Sequence, residues 1–472
     1  MPDVLRTAPP WTAPLWTADE IAAATGGQVL GDFEATGVSI DSRSLEPGDL
    51  FVALTGARDG HEFVVQTADR GAAGALISKP VAIPAVLVED TFLALERLGV
   101  AARERAPQVR RGAVTGSVGK TSVTRAVEAG LRRAGKAHAS VKSYNNHIGV
   151  PLTLARMPRD TQRAVFEVGM NHSGEITPLS GFIRPHAVAI TTVGPVHLEN
   201  FADGEEGVAR AKAEIFAGIE PNGVAVLNAD NPWFPLLKAE AEKAGAEVWS
   251  FGAGEGVTAQ LTEFAAGPNG ATITAVLRGD TIHFPILQTG VHWGLNSLCV
   301  LLMLEALDVD RETALAALAE FEPIEGRGAE RVVHVPGGTF TLVDESYNAN
   351  PISMQAALKT LGAREVAGRR IVVLTDMLEL GPLSARFHSD LATPIAGADI
   401  DLVFCAGPLM KSLWEALPPT RRGGYAESAA ELAPQVVSAI RAGDVVMVKG
   451  SNGSRAGAVA AALGALDLVG QG

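Results

Sequence analysis

Between Val109 and about Phe321 the sequence alternates between short apolar runs and longer amphipathic runs. The apolar runs include GAVTG (112–116), AVFEVG (164–169), AVAITTVG (187–194) and GVAVLNAD (223–230). Runs with helical spacing separate them, such as SVTRAVEAGLRRAG (122–135) and EGVARAKAEIFAGI (206–219). This alternation predicts a parallel sheet with crossover helices, whose ligands gather at the carboxyl ends of the strands.

Two further units flank this region. Before it, Thr17 and Glu20 form a capping-box pattern that predicts a short helix ending at Gly26-Gly27, and strand-like runs follow at 48–56 and 71–78. After it, the segment PIEGRGAERV (323–332) interrupts the alternation, and a second series of strands follows. At about 150 residues per domain, 472 residues fit about three domains. The predicted α/β domains are 1–100, 101–325 and 326–472.

Composition excludes several classes of protein. Hydrophobic residues make up 47% and charged residues 19%, which is typical of a folded chain. A net charge of -14 argues against a nucleic-acid surface. Prolines near the N-terminus argue against a signal peptide, and we see no run long enough for an integral membrane segment. Cys299 and Cys405 lie in apolar runs, as buried thiols do in a reducing compartment, so we expect a cytoplasmic protein.

The segment TGSVGKTS (115–122) has the pattern of a phosphate-binding loop between a strand and a helix. It is short: the pattern G-x-x-x-x-G-K-[ST] would place its first glycine at Val114. Glycines allow the backbone to approach phosphate, Lys120 can reach the β- and γ-phosphates, and the Thr121 hydroxyl suits Mg²⁺. A chance Gly-Lys-Thr in a surface loop is the alternative. The predicted nucleotide-binding residues here are Thr115, Gly116, Ser117, Gly119, Lys120, Thr121 and Ser122.

This shortened loop resembles that of the Mur ligases, the ATP-dependent amide-forming enzymes of peptidoglycan precursor synthesis. Further segments match the family in order and approximate spacing: SYNNHIGVPLTL (143–154), FEVGMNHSGEI (166–176), TTVGPVHLENF (191–201), AKAEIF (211–216), LNADNP (227–232), DESYNANPISM (344–354) and LTDMLELG (374–381). The last two resemble the branch that joins UDP-N-acetylmuramoyl-tripeptide to D-alanyl-D-alanine. The resemblance implies a small α/β N-terminal domain for the UDP-sugar, a central P-loop ATPase domain, and a C-terminal Rossmann-like domain for the dipeptide.

Three polar residues near the loop are, with Thr121, candidates for metal binding. The candidate catalytic residues are Lys120, His197 and Lys212. A carboxylate that ends an apolar strand, as Glu167 does, suits a bound cation, although it can also cap the following turn. His197 follows another strand; alone it would more often be a structural histidine, but it matches the family's H-L-E motif. Lys212 would ordinarily be a solvated helix lysine. The resemblance implies that Lys212 is carbamylated and helps to hold the second of two Mg²⁺ ions.

The resemblance also implies residues on the nucleotide side. It points to Asn228, Asp230, Asn231 and Asn296 for adenine or ribose, and to Arg327 and Asp344 for the closed form. The family more often has asparagine where this chain has Trp293, and aspartate where it has Glu345. LVDES (342–346) also imitates a Walker B strand, which would position Mg²⁺ and water for hydrolysis.

Substrate residues follow from the resemblance as well. In the first domain, EPGD is by itself only a turn and DSR an exposed loop, but they resemble the family's UDP-sugar segment. KGSN (449–452) stands where the family has KGSR. The implied substrate residues are Ser42, Arg43, Asp59, Gly60, His61, Asn145, Asn146, Tyr347, Asn348, Asn350, Lys449 and Ser451. A monomer is expected.

Two rival functions remain open at this stage. The chain can be another amide ligase of the superfamily, such as the tripeptide-forming ligase or a folylpolyglutamate synthetase. It can also be a nucleotide-switched assembly factor, whose ATPase activity would be independent of any dipeptide. YNANPISM (347–354) and DMLELG (376–381) argue against the first rival, and a guanine-specific switch would need an N-K-x-D segment, which we do not find.

Overall fold

The computed structural model describes residues 14–141, 143–267 and 270–469. The proline-rich residues 1–13, which argue against a signal peptide, lie outside the described residues. The larger sheets have five, nine and six strands in chain order. We call the parts that carry them the first body (14–104), the central body (110–320) and the C-terminal body (329–469). No helix in the described part of the chain is long and apolar enough to cross a membrane.

The first body is a small sheet with helices around it. Its strands are β1 Trp16–Thr17, β2 Gln28–Leu30, β3 Glu34–Ala35, β4 Gly37–Ser39, β5 Asp49–Val52, β6 Gly74–Ile77 and β7 Ala85–Leu87; its helices are α1 Ala18–Thr25, α2 Val64–Asp69 and α3 Thr91–Glu104. The predicted capping box at Thr17 and Glu20 is confirmed, and Gly26 ends α1 in a left-handed conformation. The sheet order is β2-β7-β6-β5-β4, with β2 antiparallel and the rest parallel.

The central body has nine strands. They are β8 Arg110–Thr115, β9 Ala137–Ala139, β10 Arg163–Glu167, β11 Ala187–Ile190, β12 Val224–Asn228, β13 Glu247–Gly252, β14 Ala259–Gly267, β15 Gly270–Leu277 and β16 Asp280–Ile286. Its helices are α4 Lys120–Ala134, α5 Gly149–Ala155, α6 Ile176–Ile183, α7 Glu205–Ala213, α8 Phe234–Lys243, α9 Trp293–Ala306 and α10 Arg311–Glu320. Helices α4, α9 and α10 cover one face, and α5 to α8 cover the other.

The order of this sheet is β16-β15-β14-β13-β12-β11-β8-β10-β9. The predicted parallel strands β8, β10, β11 and β12 are confirmed as neighbours. Their carboxyl ends therefore meet at one edge, where ligands are expected. The continued alternation predicted as far as Phe321 is wrong for β14 to β16, which form an antiparallel meander. Positive φ at Arg278 and Gly279 makes the tight turn between β15 and β16.

The first body and the central body share a hydrophobic core. Helix α3 packs along α5. Leu152 and Ala155 of α5 are fully buried in the same cluster as Leu95 and Leu98 of α3. The indole Nε1 of Trp16 also donates to the carbonyl of Ala155 at 2.8 Å. The seam between these two bodies is therefore apolar and closely packed.

The C-terminal body is a six-stranded sheet with helices on both faces. Its strands are β17 Ala329–Val335, β18 Gly338–Glu345, β19 Arg370–Thr375, β20 Leu402–Ala406, β21 Arg422–Ala426 and β22 Val445–Lys449. Its helices are α11 Pro351–Gly362, α12 Ser384–Ser389, α13 Ala392–Gly397, α14 Lys411–Ala416, α15 Ala429–Ala439, α16 Gly457–Gly464 and α17 Leu466–Val469. The order is β17-β18-β22-β19-β20-β21, and only β17 is antiparallel to its neighbour.

Two sequence predictions are settled by this placement. The Walker-B-like LVDES lies at the end of β18, in the C-terminal sheet and not in the sheet that carries the loop. Cys299 in α9 and Cys405 in β20 are free and buried, as expected, and burial raises the pKa of both thiols.

Candidate active site

The predicted phosphate-binding loop connects the end of β8 to the start of α4. Gly116 has φ 151° and Gly119 has φ 87°, conformations that favour glycine. A Cβ on Gly116 would lie 1.9 Å from Oγ1 of Thr191. The N-cap residue of α4 is Gly119, which has no side chain to cap the helix. Because its first backbone N–H groups lack helical partners and carry the positive end of the helix dipole, this end of α4 suits a phosphate group.

Replacing Gly116 with alanine is expected to weaken ATP binding about tenfold or more. The new Cβ would collide with Thr191, and a left-handed non-glycine residue costs roughly 1–3 kcal/mol, of which about 1.4 kcal/mol is already a factor of ten. Gly181→Ala is the matched control, because that exposed helical glycine has nothing within 4 Å of an added Cβ. Calorimetric ATP titration of both variants checks this. Unchanged affinity in Gly116→Ala would contradict the proposed loop.

The loop is fixed to the end of β11 by hydrogen bonds. The Ser117 hydroxyl donates to the carbonyl of Gly194 at 3.1 Å and accepts from its N–H at 3.0 Å. The Thr191 hydroxyl donates to the carbonyl of Val118 at 2.5 Å. The loop is thereby tied to the strand that leads into His197, so the two segments keep a fixed relation.

Two amines lie together beside the loop. The Lys120 Nζ donates to the carbonyl of Gly116 at 2.7 Å. Burial lowers the pKa of Lys120, and the nearby Glu167 opposes that shift. Lys212 in α7 is 2% exposed, and burial together with the charge of Lys120 holds its pKa well below the usual value. Among the described residues no ion-pair partner offsets the burial of the Lys212 amine.

Glu167 lies at the end of β10 and is 2% exposed. Its carboxylate accepts a hydrogen bond from Nδ2 of Asn145 at 2.7 Å. In the described part of the chain it makes no ion pair and does not cap the turn after β10, so the capping alternative has no support. A buried carboxylate with unused lone pairs, with the Thr121 hydroxyl at the start of α4, is a donor set of the hard oxygen type that Mg²⁺ prefers.

A complete metal site is not formed by acidic, histidine or cysteine side chains alone. No group of three such residues converges within residues 14–141, 143–267 and 270–469. Glu167 and Thr121 therefore fit Mg²⁺ only together with phosphate oxygens or a further anionic ligand. A carbamate on Lys212 would supply one, and it would also place a negative charge beside Lys120.

Two further predicted residues reach the same cluster. His197 follows β11, and its pKa is lowered by burial and by Lys120 and Lys212, against the effect of Glu379. Arg327 precedes the C-terminal sheet, and its guanidinium carbon lies 4.3 Å from the ring centre of Tyr347. Burial lowers the pKa of Arg327, and Glu167 opposes that shift. The structure thus places Lys120 within electrostatic range of four other groups, which are Glu167, His197, Lys212 and Arg327.

Three residues predicted to contact the nucleoside also make hydrogen bonds to the backbone of nearby loops. Asn231 donates to the carbonyl of Val193 at 2.8 Å and accepts from the N–H of Trp233. Asp230 accepts from the N–H of Ala253 at 2.8 Å. The Asn228 Nδ2 donates to the carbonyl of Thr191 at 3.3 Å, and its Oδ1 accepts from the N–H of Asp230. These side chains therefore hold the backbone that forms the edge of the site.

Asn296 in α9 lies beside the loop. Its Oδ1 is 3.5 Å from the position that a Cβ on Gly119 would take. Trp293, where the family more often has asparagine, is 4% exposed and packs in the core with its ring centre 5.6 Å from that of Phe321. The tryptophan therefore fills the core beneath the site, while Asn296 keeps an amide next to the loop.

The predicted UDP-sugar residues form a separate group in the first body. His61 has both ring nitrogens engaged: Nδ1 lies 2.6 Å from Asp59, and Nε2 accepts from the N–H of Ser78 at 2.9 Å. Lys79 and then His61 hold the pKa of Asp59 well below its usual range. A Cβ on Gly60 would lie 2.7 Å from the carbonyl oxygen of Leu54. His61 and Gly60 thus stabilise the turn at residues 59–61, and Asp59 gives that turn a negative charge.

Ser42 and Arg43 lie on the neighbouring loop. Arg43 is exposed and its guanidinium pairs with Asp41 at 2.8 Å. Arg70 donates to the carbonyls of Ser42 and Arg43. Among the described residues these contacts stay within the first body, so this group is not part of the cluster around Lys120.

The predicted dipeptide residues lie at the ends of β18 and β22. Lys449 is buried, and its Nζ lies 3.1 Å from Glu345 and from the carbonyl of Asn348. Asn350 caps α11 by accepting from the N–H of Ser353. The side chains of Lys449 and Asn350 therefore stabilise the loop. Tyr347 and Asn348 are exposed at its tip.

This loop faces the central body and an open cavity. The Tyr347 hydroxyl lies 3.1 Å from the hydroxyl of Ser143. On its other side, Asp344 and Tyr347 line a cavity of about 900 Å³ between β17, β18 and α16.

Two further predicted substrate residues make hydrogen bonds to the backbone. The Ser451 hydroxyl accepts from the N–H of Leu378. Asn146 accepts from the N–H groups of Ile148 and Gly149, as a turn residue does.

The sequence prediction did not single out Ser143 or Glu379. Ser143 is the partner of Tyr347, and Glu379 is the partner of His197, at 2.5 Å between Oε2 and Nδ1. Both lie inside segments that carry the family resemblance. Nothing in the order of the residues signals either contact, because each joins two bodies of the chain.

Three family models match the chain: Mur ligase family, catalytic domain, at 34–133; Mur ligase middle domain, at 114–304; and Mur ligase, glutamate ligase domain, at 330–452. A UDP-N-acetylmuramoyl-tripeptide--D-alanyl-D-alanine ligase of Escherichia coli (strain K12) is 35% identical over 83% of this chain and 86% of its own length. A ligase of the same name from Rickettsia prowazekii (strain Madrid E) is 30% identical over 93% and 97%. The crystal structure of MurF from Acinetobacter baumannii matches with a TM-score of 0.83 and 29% identity over 95% and 98% of the two chains. The chain belongs to the Mur ligase family, whose members are ATP-dependent ligases.

Proposed function

We propose that this chain joins D-alanyl-D-alanine to UDP-N-acetylmuramoyl-tripeptide with conversion of ATP to ADP and phosphate. The observation that carries the proposal is the meeting of an uncapped phosphate loop with Lys120, Lys212, Glu167 and Arg327. Such a site stabilises negative charge on a transferring phosphoryl group. The names of the relatives supply the two substrates.

The reaction needs activation of a carboxylate, because an amine does not displace hydroxide from it in water. The γ-phosphoryl group passes from ATP to an oxygen of the tripeptide carboxylate and ADP leaves. The dipeptide amine then attacks the acyl carbon, the bond from that carbon to the phosphate oxygen breaks, and phosphate and a proton are released. Lys120 and the N–H groups of α4 hold the phosphates, and Arg327 adds positive charge from the linker.

We assign the metal-binding role to Thr121, Glu167, His197 and a carbamylated Lys212. Two Mg²⁺ ions held there would neutralise charge on the phosphates and the transferring group. The buried amine of Lys212 and the lowering of its pKa support the modification, because the neutral form is the nucleophile that adds to CO₂. The product is an anion that offsets the charge of Lys120.

We assign the substrates to separate bodies. The UDP-sugar is assigned to the loops of Ser42 and Asp59 in the first body, and the dipeptide to the loop of Tyr347 in the C-terminal body. Domain 326–472 would then close on domains 1–100 and 101–325 by rigid rotation, which excludes water from the acyl phosphate. A monomer suffices for this arrangement, and two buried thiols fit a reducing cytoplasm.

The test follows phosphate release with Mg²⁺-ATP and UDP-N-acetylmuramoyl-tripeptide, with and without D-alanyl-D-alanine, and the pentapeptide product by mass. We expect release that depends on the dipeptide and matches product one to one. Release that ignores the dipeptide would favour the nucleotide-switched assembly factor. Product from glutamate or a diamino acid in place of the dipeptide would favour another ligase of the superfamily.

A further inference from the structure

His197 and Glu379 meet across the boundary between the central and C-terminal bodies. His197 begins the short turn that includes Leu198–Asn200, and Glu379 lies in the loop after β19. The Nδ1 of His197 lies 2.5 Å from Oε2 of Glu379. Nδ1 is buried, and no atom of the described residues meets the geometric criteria for a hydrogen bond to it. Glu379 is thus the carboxylate within reach of an otherwise orphaned nitrogen.

The backbone on both sides is held in an uncommon conformation. His197 has φ 53° and Glu379 has φ 63°, the left-handed region that residues with side chains seldom adopt. Gly381 has φ 60°, and a Cβ there would lie 3.3 Å from Cα of Glu199. The loop and the turn therefore pack closely. Left-handed residues on both sides of one contact indicate that the surrounding structure maintains it, which is common at functional sites.

Stability does not account for this contact. The side chain of His197 is 25% exposed and that of Glu379 is 52% exposed. Ion pairs this accessible to water contribute little to the free energy of folding. A carboxylate this close to one nitrogen of an imidazole has another effect: its negative charge favours the ring form that carries the proton on that nitrogen, and it favours one orientation of the ring.

We propose that Glu379 is a positioning residue for His197 in the ligation. Its carboxylate holds the ring through Nδ1 and leaves Nε2, which has no partner among the described residues, for the groups that bind beside Lys120 and Lys212. Because Glu379 belongs to the C-terminal body, the ring is held only when that body lies against the central one. The position of His197 is therefore coupled to closure. This inference rests on the proposed function.

The test compares Glu379→Gln with Glu379→Asp and with Glu365→Gln, a control that removes an exposed charge elsewhere in the same body. We expect Glu379→Gln to lower kcat about 10- to 100-fold, with the KM values of the tripeptide nucleotide and the dipeptide changed less than about threefold. Glu379→Asp is expected to restore part of kcat, and Glu365→Gln to match the unchanged enzyme. Equal thermal stability of the variants excludes a merely structural role.

A second readout does not depend on turnover. In protein labelled with ¹⁵N-histidine and assigned with a His197→Asn variant, the unchanged enzyme with ADP is expected to show His197 protonated at Nδ1 and unprotonated at Nε2. In Glu379→Gln the signals are expected to average between the two ring forms. Unchanged ring signals and unchanged kcat in Glu379→Gln would overturn the inference. If the unchanged enzyme itself shows no dipeptide-dependent product, the proposed function fails instead.

Discussion

Lys120→Ala is expected to lower kcat for pentapeptide formation by about 10²- to 10³-fold, the usual effect of removing one group that stabilises transition-state charge. Lys120 starts α4, its amine lies over the loop, and Glu167 and Arg327 lie close enough to affect its charge. Its loss removes a cation from the place where the γ-phosphoryl group transfers. Single-turnover phosphate release with saturating ATP measures the effect on the chemical step.

The matched control for Lys120 is Lys238→Ala. Lys238 lies on α8 of the same body, half exposed, and its amine is 3.7 Å from Glu242. This variant is expected to keep kcat within about twofold, since an exposed pair of this kind contributes little. Binding of the tripeptide nucleotide is expected to survive in both variants, because the residues assigned to it lie in the first body. If kcat of Lys120→Ala is close to kcat of Lys238→Ala, the loop does not take part in the reaction.

Lys212→Ala is expected to lower kcat by a similar factor, about 10²- to 10³-fold, because it removes a charge-stabilising ligand. The loss is expected to be partly reversed by acetate, which can enter the space of the missing carbamate. In the unchanged enzyme, ¹³C-bicarbonate is expected to give a carbamate carbon signal that Lys212→Ala lacks.

The Lys212→Arg variant distinguishes a need for positive charge at this position from a need for a carbamate. Arginine keeps a cation at this position but cannot form a carbamate, so we expect Lys212→Arg to be as inactive as Lys212→Ala and not to respond to acetate. Activity of Lys212→Arg near that of the unchanged enzyme would show that a positive charge is what the site needs there. That result would remove the carbamate from the proposed metal site.

Local sequence was enough to predict the elements around the loop. Strands β8, β10, β11 and β12 are short apolar runs with helices between them, and this pattern depends on neighbouring residues alone. The antiparallel meander β14 to β16 was not predicted, although ATITAVL (271–277) and the Arg278-Gly279 turn carry strand and hairpin signals. The sequence prediction extends the alternation of strands and helices through this segment, because the segments on both sides of β14 to β16 follow that pattern.

The site was harder to predict, because the same residue type serves different purposes in different surroundings. Asn231 matches a family motif, and its amide also binds the backbone of Val193 and Trp233. His61 is likewise held at both nitrogens. Glu379 meets its partner only when two distant parts of the chain come together. Hydrogen-bond partners of this kind depend on the tertiary structure, which residue order near the motif does not specify.

The shared core of α3 and α5 limits how modular this chain is. We do not expect the first body alone to be replaceable by the first body of another ligase. Leu152 and Ala155 of the central body complete its hydrophobic core. A transplanted first body would need a matching face on α5, so these two segments are expected to change together during evolution. The C-terminal body meets the site through single side chains such as Tyr347 and Glu379. Recombination between related genes should therefore be better tolerated in the segment 321–328, between the central and C-terminal bodies, than in the segment 105–109, between the first and central bodies.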